Sequence, residues 1–168
     1  MGRIGAESDA SMGIDKFGTG VFGGGINATL RDIARFGSLF LGDGLSPTGE
    51  RVLSGEWFGQ TLAEAPDSRD AFADIPGDNT MPGGMHRNQM WFPYAGSDVV
   101  LCLGIHGQLV HVNRLAGVVA VKLSTWPVPQ DPARLFPVLR AFEAISAALV
   151  VEAETASAPV PKEPAPAG

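Results

Sequence analysis

Val99-Val100-Leu101-Cys102-Leu103-Gly104-Ile105-His106-Gly107-Gln108-Leu109-Val110-His111-Val112 is the stretch on which the reading of the fold turns. Two apolar, β-branched runs, 99–105 and 108–112, stand either side of a glycine turn at Gly107. So short a connection makes them antiparallel neighbours, because a parallel crossover needs a dozen residues or more. The pattern repeats outward. Residues 89–94 precede it across Ala95-Gly96-Ser97-Asp98, and 118–123 follow it across Asn113-Arg114-Leu115-Ala116-Gly117. Four strands joined by tight turns form a β-meander. In 118–123 only Lys122 is polar, the pattern of a strand inside a sheet and not at its rim.

Helices flank the meander. Asp131 is an N-cap and Pro132 sits where a missing N–H costs nothing, so a long helix opens there. Leu135, Val138, Leu139, Phe142, Ile145, Ala148 and Leu149 give it an apolar stripe for packing on the sheet, and Pro137 kinks it slightly. Residues 151–168, rich in Ala, Pro and Glu, read as a disordered tail, leaving one domain over 1–150. Upstream, Asn27 is the expected N-cap of a helix over 28–41, with Leu30, Ile33, Ala34, Gly37, Phe40 and Leu41 facing inward. Gly42 and Gly44 stop that helix, and the small Gly37 implies close approach by another backbone. Ser54 caps a short helix running to 63, residues 64–88 form a long polar loop, and a short hairpin is expected around Asp15-Lys16-Phe17-Gly18. The fold class is α+β, an antiparallel meander with a C-terminal helix packed on one face.

Composition narrows the function. A net charge of −6 and no run of Lys or Arg exclude a nucleic-acid footprint. The longest apolar runs fall far short of the roughly 20 residues that span a bilayer, and the N-terminus has no apolar core of a signal peptide. The single cysteine, Cys102, excludes an internal disulfide and fits a reducing, cytoplasmic setting. No Cys/His spacing suits a metal, and His106 and His111, five residues apart, would face opposite sides of a strand. No metal or cofactor is expected.

Gly23-Gly24-Gly25-Ile26-Asn27-Ala28-Thr29-Leu30-Arg31-Asp32-Ile33-Ala34-Arg35-Phe36-Gly37, then Gly104-Ile105-His106-Gly107-Gln108, then Val121-Lys122-Leu123-Ser124-Thr125-Trp126-Pro127 carry a resemblance. Together they resemble the C-terminal portion of the penicillin-binding-protein and β-lactamase-like serine hydrolases, and most of all the 6-aminohexanoate-dimer hydrolases and related esterases. The Glu7-Ser8-Asp9-Ala10 segment matches a Glu-x-Asp-Ala element that precedes the glycine-rich stretch in that family. The resemblance implies a partial β-lactamase-like fold and hydrolysis of a small amide or ester by a serine that a Lys and a Tyr activate.

The nucleophile's motif is not in the sequence. Lys16, Lys122 and Lys162 are preceded three positions earlier by Gly13, Val119 and Pro159, so there is no Ser-x-x-Lys. Tyr94 is followed by Ala95-Gly96, so there is no Tyr-x-Asn. The resemblance implies that these groups lie before Met1, and that the chain alone is inactive. It also implies that residues 118–123 lack their neighbouring strand, so that the bare edge recruits an N-terminal half or a second copy of the chain.

Matching the family's Lys-Thr-Gly-x-x-Gly to Gly104 and Gly107 puts Cys102 and Leu103 at the Lys and Thr positions, which disfavours β-lactams. By the same match the Ile105 N–H becomes an oxyanion-hole donor, a role indifferent to side chain. Gly104, His106 and Gly107 become substrate-binding positions. Read without the family, the two glycines equally allow a strand twist or bulge, and His106 equally fits an exposed strand edge. The alternative function is a non-catalytic binding or interaction module built on the remnant fold.

Overall fold

The computed structural model describes residues 2–63, 66–74 and 81–157. Five strands, β3 (Met85–Arg87), β4 (Met90–Phe92), β5 (Val99–Leu103), β6 (Leu109–Asn113) and β7 (Val118–Lys122), form one antiparallel meander in the order β3-β4-β5-β6-β7. A small hairpin, β1 (Ser11–Met12) with β2 (Ile26–Asn27), stands before it. Within that hairpin Asp15 Oδ1 accepts from the amides of Phe17 and Thr19, which closes the expected turn.

The strand pair β5–β6 is in register over five residues, Val99 opposite Asn113 through Leu103 opposite Leu109. Alternation then sorts its side chains. Val100, Val110 and Val112 join Phe40, Phe58, Met85, Met90 and Phe92 on one face. Val99, Leu101 and Leu109 join Phe72, Met81 and Leu139 on the other. The sheet is therefore covered on both faces. Helix α1 (Leu30–Ser38) and α2 (Gly55–Leu62) cover the first, and α3 (Pro66–Ala73) and α4 (Pro132–Ser157) cover the second. The C-terminal helix lies on the sheet as expected, and the opposite helices make the architecture three layers.

Several local expectations change. Helix α1 begins at Leu30, and its N-cap is Thr29, not Asn27, which pairs with Ser11 in the hairpin. Thr29 and Asp32 cap the helix as a pair: the Asp32 amide donates to Thr29 Oγ1, and that hydroxyl donates to Asp32 Oδ2. Leu30 is consequently exposed. Gly37 does mark a close approach, but to side chains: a Cβ there would lie 2.6 Å from Val119 Cγ1 and 3.2 Å from Val110 Cγ1.

The expected loop over 64–88 contains α3 and β3. Pro66 and Asp67 suit a first helical turn, and Phe72 anchors α3 edge-on to Trp91 at 5.7 Å. Asn88 and Gln89 both take positive φ, 49° and 65°, forming the two-residue turn that joins β3 to β4. Residues 64–65 and 75–80 of that loop lie outside the described residues.

Helix α4 runs on through Ser157, past the expected start of the tail at 151, and residues 158–168 lie outside the described residues. Leu139 and Ser146 are its buried positions among the described residues, whereas Ile145 and Leu149 of the expected stripe are exposed. Strand β7, whose pattern suits a sheet interior, stands at the edge, with all five residues half-buried.

Asp32 ties the N-terminal segment to α1. It is buried and accepts from the amides of Glu7 (2.9 Å) and Ser8 (3.2 Å), from Thr29 Oγ1 and from Arg35 Nη1. These donors, the Glu7 amide foremost, hold its carboxyl below the ordinary 3.8. A carboxylate held low stabilises the fold fully above its ordinary pKa and stops doing so as pH falls through the lowered one. Urea unfolding should accordingly show a stability that falls below about pH 4, and Asp32→Asn should be less stable at pH 7 with a shallower acid dependence. Gly37→Val, which drives methyls into Val110 and Val119, should lose about 1–3 kcal/mol in the same assay.

Candidate functional site

Strand β5 ends at Leu103, earlier than the sequence suggested, and Ile105–Gly107 form a short 3₁₀ turn before β6. Two features make this turn sharp. His106 is a non-glycine residue at φ 57°, and Gly107 follows at φ 83°. A Cβ on Gly107 would lie 2.3 Å from the Trp126 ring and 2.4 Å from Ser124 Oγ, so glycine is required twice over, by conformation and by space. At Gly104 a Cβ would lie 2.9 Å from Gln108 Cβ.

The turn is stitched to the segment that leads from β7 to α4. The His106 amide donates to the Pro129 carbonyl (2.8 Å), the His106 carbonyl accepts from the Trp126 amide (3.0 Å), and the Ser124 hydroxyl is shared between the Gly107 (2.8 Å) and His106 (3.1 Å) carbonyls. The His106 ring continues the pattern, with Nδ1 2.8 Å from the Trp126 carbonyl oxygen. A carbonyl can only accept, so Nδ1 carries the proton. Gln108 grips the Ser124 backbone twice, donating from Nε2 to the carbonyl and accepting the amide at Oε1. Sequence reading found His106 but not its partners. Ser124 and Trp126 belong to the quoted 121–127 segment, but two strands, β6 and β7, separate them from the turn, and nothing in the sequence shows that they meet it.

Within this lattice one donor stands out. Among the described residues the Ile105 amide meets no acceptor, while its neighbours at 104 and 106 donate to Gln108 and Pro129. The Ile105 side chain is 64% exposed. A cavity of about 130 Å³ opens beside the turn, and Gly104, Ile105 and Gly107 are among its walls, with Trp91, Leu103, Leu109, Lys122, Trp126 and Leu135. His106 is not one of them; it holds the turn from behind. Lys122 lies with its ammonium 4.9 Å from the centre of the Trp126 ring.

Cys102 faces the first core, 3.5 Å from Met90 Sδ, and burial pushes its thiol up to about 11. It is therefore a neutral thiol at neutral pH. His86 sits on β3 against Trp91, and partial burial lowers its pKa. His111 is fully buried under α4, well away from His106 in the turn. Among the described residues no three His, Cys, Asp or Glu side chains gather as a metal site requires.

No family model matches the sequence. It is 36% identical over 127 residues to the 6-aminohexanoate-dimer hydrolase of Paenarthrobacter ureafaciens, a match covering 76% of this chain and 32% of that protein. The structure superposes with a TM-score of 0.70, at 26% identity, on a Bacillus anthracis protein provisionally assigned as a 6-aminohexanoate-dimer hydrolase, covering 88% of this chain and 36% of the other. The chain is a partial relative of the 6-aminohexanoate-dimer hydrolases. It spans about a third of their length, and its sheet and helices form part of a β-lactamase-like hydrolase fold. No helix among the described residues of this hydrolase relative is long and apolar enough to cross a membrane.

Gly107→Ala tests the turn. Strain at positive φ together with the Trp126 clash should cost about 2–4 kcal/mol, read as a lowered thermal midpoint with an altered tryptophan emission.

Proposed function

We propose that the chain supplies the C-terminal part of a serine amide or ester hydrolase site, with the Ile105 N–H as one donor to the oxyanion. The observation that carries this reading is that unengaged amide, held in a stitched turn beside a cavity, in a chain 36% identical to a 6-aminohexanoate-dimer hydrolase. In acyl transfer a nucleophilic serine attacks the carbonyl carbon, and the negative charge that develops on oxygen needs preorganised N–H donors. A backbone donor fixed by its neighbours needs no reorganisation when that charge appears. Gly104 and Gly107 let the turn close against Gln108, Ser124 and Trp126, and His106 positions it. Serine, lysine and tyrosine would come from a segment corresponding to the two-thirds of the relatives that has no counterpart here. We take the setting as cytoplasmic, in keeping with a single free, half-buried cysteine.

The surface supports a complementing segment. Strand β7 has one unpaired edge although its side chains suit a sheet interior. Met12, Ile14, Phe17, Val21, Phe22 and Ile26 stand exposed on the N-terminal hairpin region. An apolar edge and an apolar arm of that extent invite association. A second copy of the chain could cover the β7 edge but would bring no Ser-x-x-Lys. The second reading is a non-catalytic binding module, favoured by the preformed cavity and by the missing motif.

The test is hydrolysis of 6-aminohexanoate dimer and of p-nitrophenyl esters by the chain alone and mixed with the N-terminal segment of the Paenarthrobacter relative that the match leaves uncovered. The chain alone should be silent and the mixture active. Ile105→Pro, which deletes the N–H, should lower kcat of the mixture by about 10²–10³. A mixture that assembles but stays inactive would favour the binding module.

A further inference from the structure

His111 occupies the middle of β6, opposite Leu101 of β5 and Ala120 of β7, with 1% of its surface exposed. Phe142 of α4 caps its ring edge-on at 5.6 Å. Neither ring nitrogen has a hydrogen-bond partner among the described residues. A buried polar group without a partner is uncommon and costs stability, so its persistence asks for a role. None of the side chains named around it is anionic. From β5 the neighbour is Leu101; from β7 it is Ala120, with the cationic Lys122 two residues along the same face. From α4 come Phe142 and Ser146, whose buried hydroxyl donates to the Phe142 carbonyl, while Arg140 and Glu143 are exposed.

We infer that His111 is a proton-operated latch on α4: the neutral ring keeps the helix docked, and the protonated ring releases it. An imidazolium confined there, with no acceptor beyond its own backbone, is disfavoured by burial, and lifting α4 away is the way to reach water. Desolvation correspondingly lowers the pKa of His111 from the ordinary 6.5. The sign follows. A base held low in the folded state stabilises the docked form above its ordinary pKa and loses that contribution as pH falls below it. Leu135 and Val138 of α4 wall the cavity beside the Ile105 turn, so release would open the cavity in mild acid. This latch does not depend on the function proposed for the site.

The experiment is hydrogen exchange of the α4 amides between pH 7.5 and 5, expressed as protection factors, with the His111 ring signal followed by NMR in the same samples. Protection of α4 should fall by up to about tenfold per pH unit below the ordinary histidine pKa, in step with protonation of the His111 ring. His111→Leu, of similar size but unable to take a proton, should hold α4 protection flat over that range, whereas His86→Gln should behave as the parent. Should the leucine variant fail to fold, coincidence of ring titration and α4 release in the parent carries the test. Constant α4 protection down to pH 5, or release while the ring stays neutral, would overturn the latch.

Discussion

Everything described hangs on the five-residue ladder between β5 and β6. Its alternation commits Val100, Val110 and Val112 to one core and Val99, Leu101 and Leu109 to the other, so a slip of one residue would exchange the two cores outright. Helices α1 and α4 each find their seat on one of those faces. The turn closing the ladder carries Ile105, and the middle of β6 carries His111. One pairing thus fixes the sheet, both helix layers, the candidate site and the buried histidine.

The second constraint is the hold on that turn. The turn between two strands is ordinarily the loosest part of a hairpin. Here backbone and ring of His106, the Ser124 hydroxyl and the Gln108 amide bind it to the segment before α4. Individually such bonds contribute about 1 kcal/mol each. Their effect here is geometric: they hold one amide, that of Ile105, pointing free while its neighbours are engaged. Preorganisation of that kind is what an oxyanion donor requires, and a binding module needs it less.

The meander and its helices were legible because short-range rules set them. Turn residues at 95–98 and 113–117 forced antiparallel neighbours, and Ser54 and Asp131 announced helix starts. Thr29-Leu30-Arg31-Asp32 was equally local, but Asn27 two residues earlier offered a competing cap. The lost elements, α3 and β3, depend on tertiary partners: Phe72 on Trp91, and the Asn88 side chain on Thr61. In the site, glycine spacing located the turn, while the partners of His106 were hidden by a sequence separation of some twenty residues. Burial of His111 was hidden too, since a polar residue in an alternating strand gives no sign of which helix will cover it.

The most direct test is a crystal structure of the chain assembled with a Ser-x-x-Lys-bearing segment whose serine carries a phosphonate. A tetrahedral phosphonyl group mimics the oxyanion of acyl transfer. The account predicts the phosphonyl oxygen about 2.7–3.1 Å from the Ile105 amide nitrogen. An oxygen directed elsewhere, with the Ile105 amide facing solvent, would contradict it.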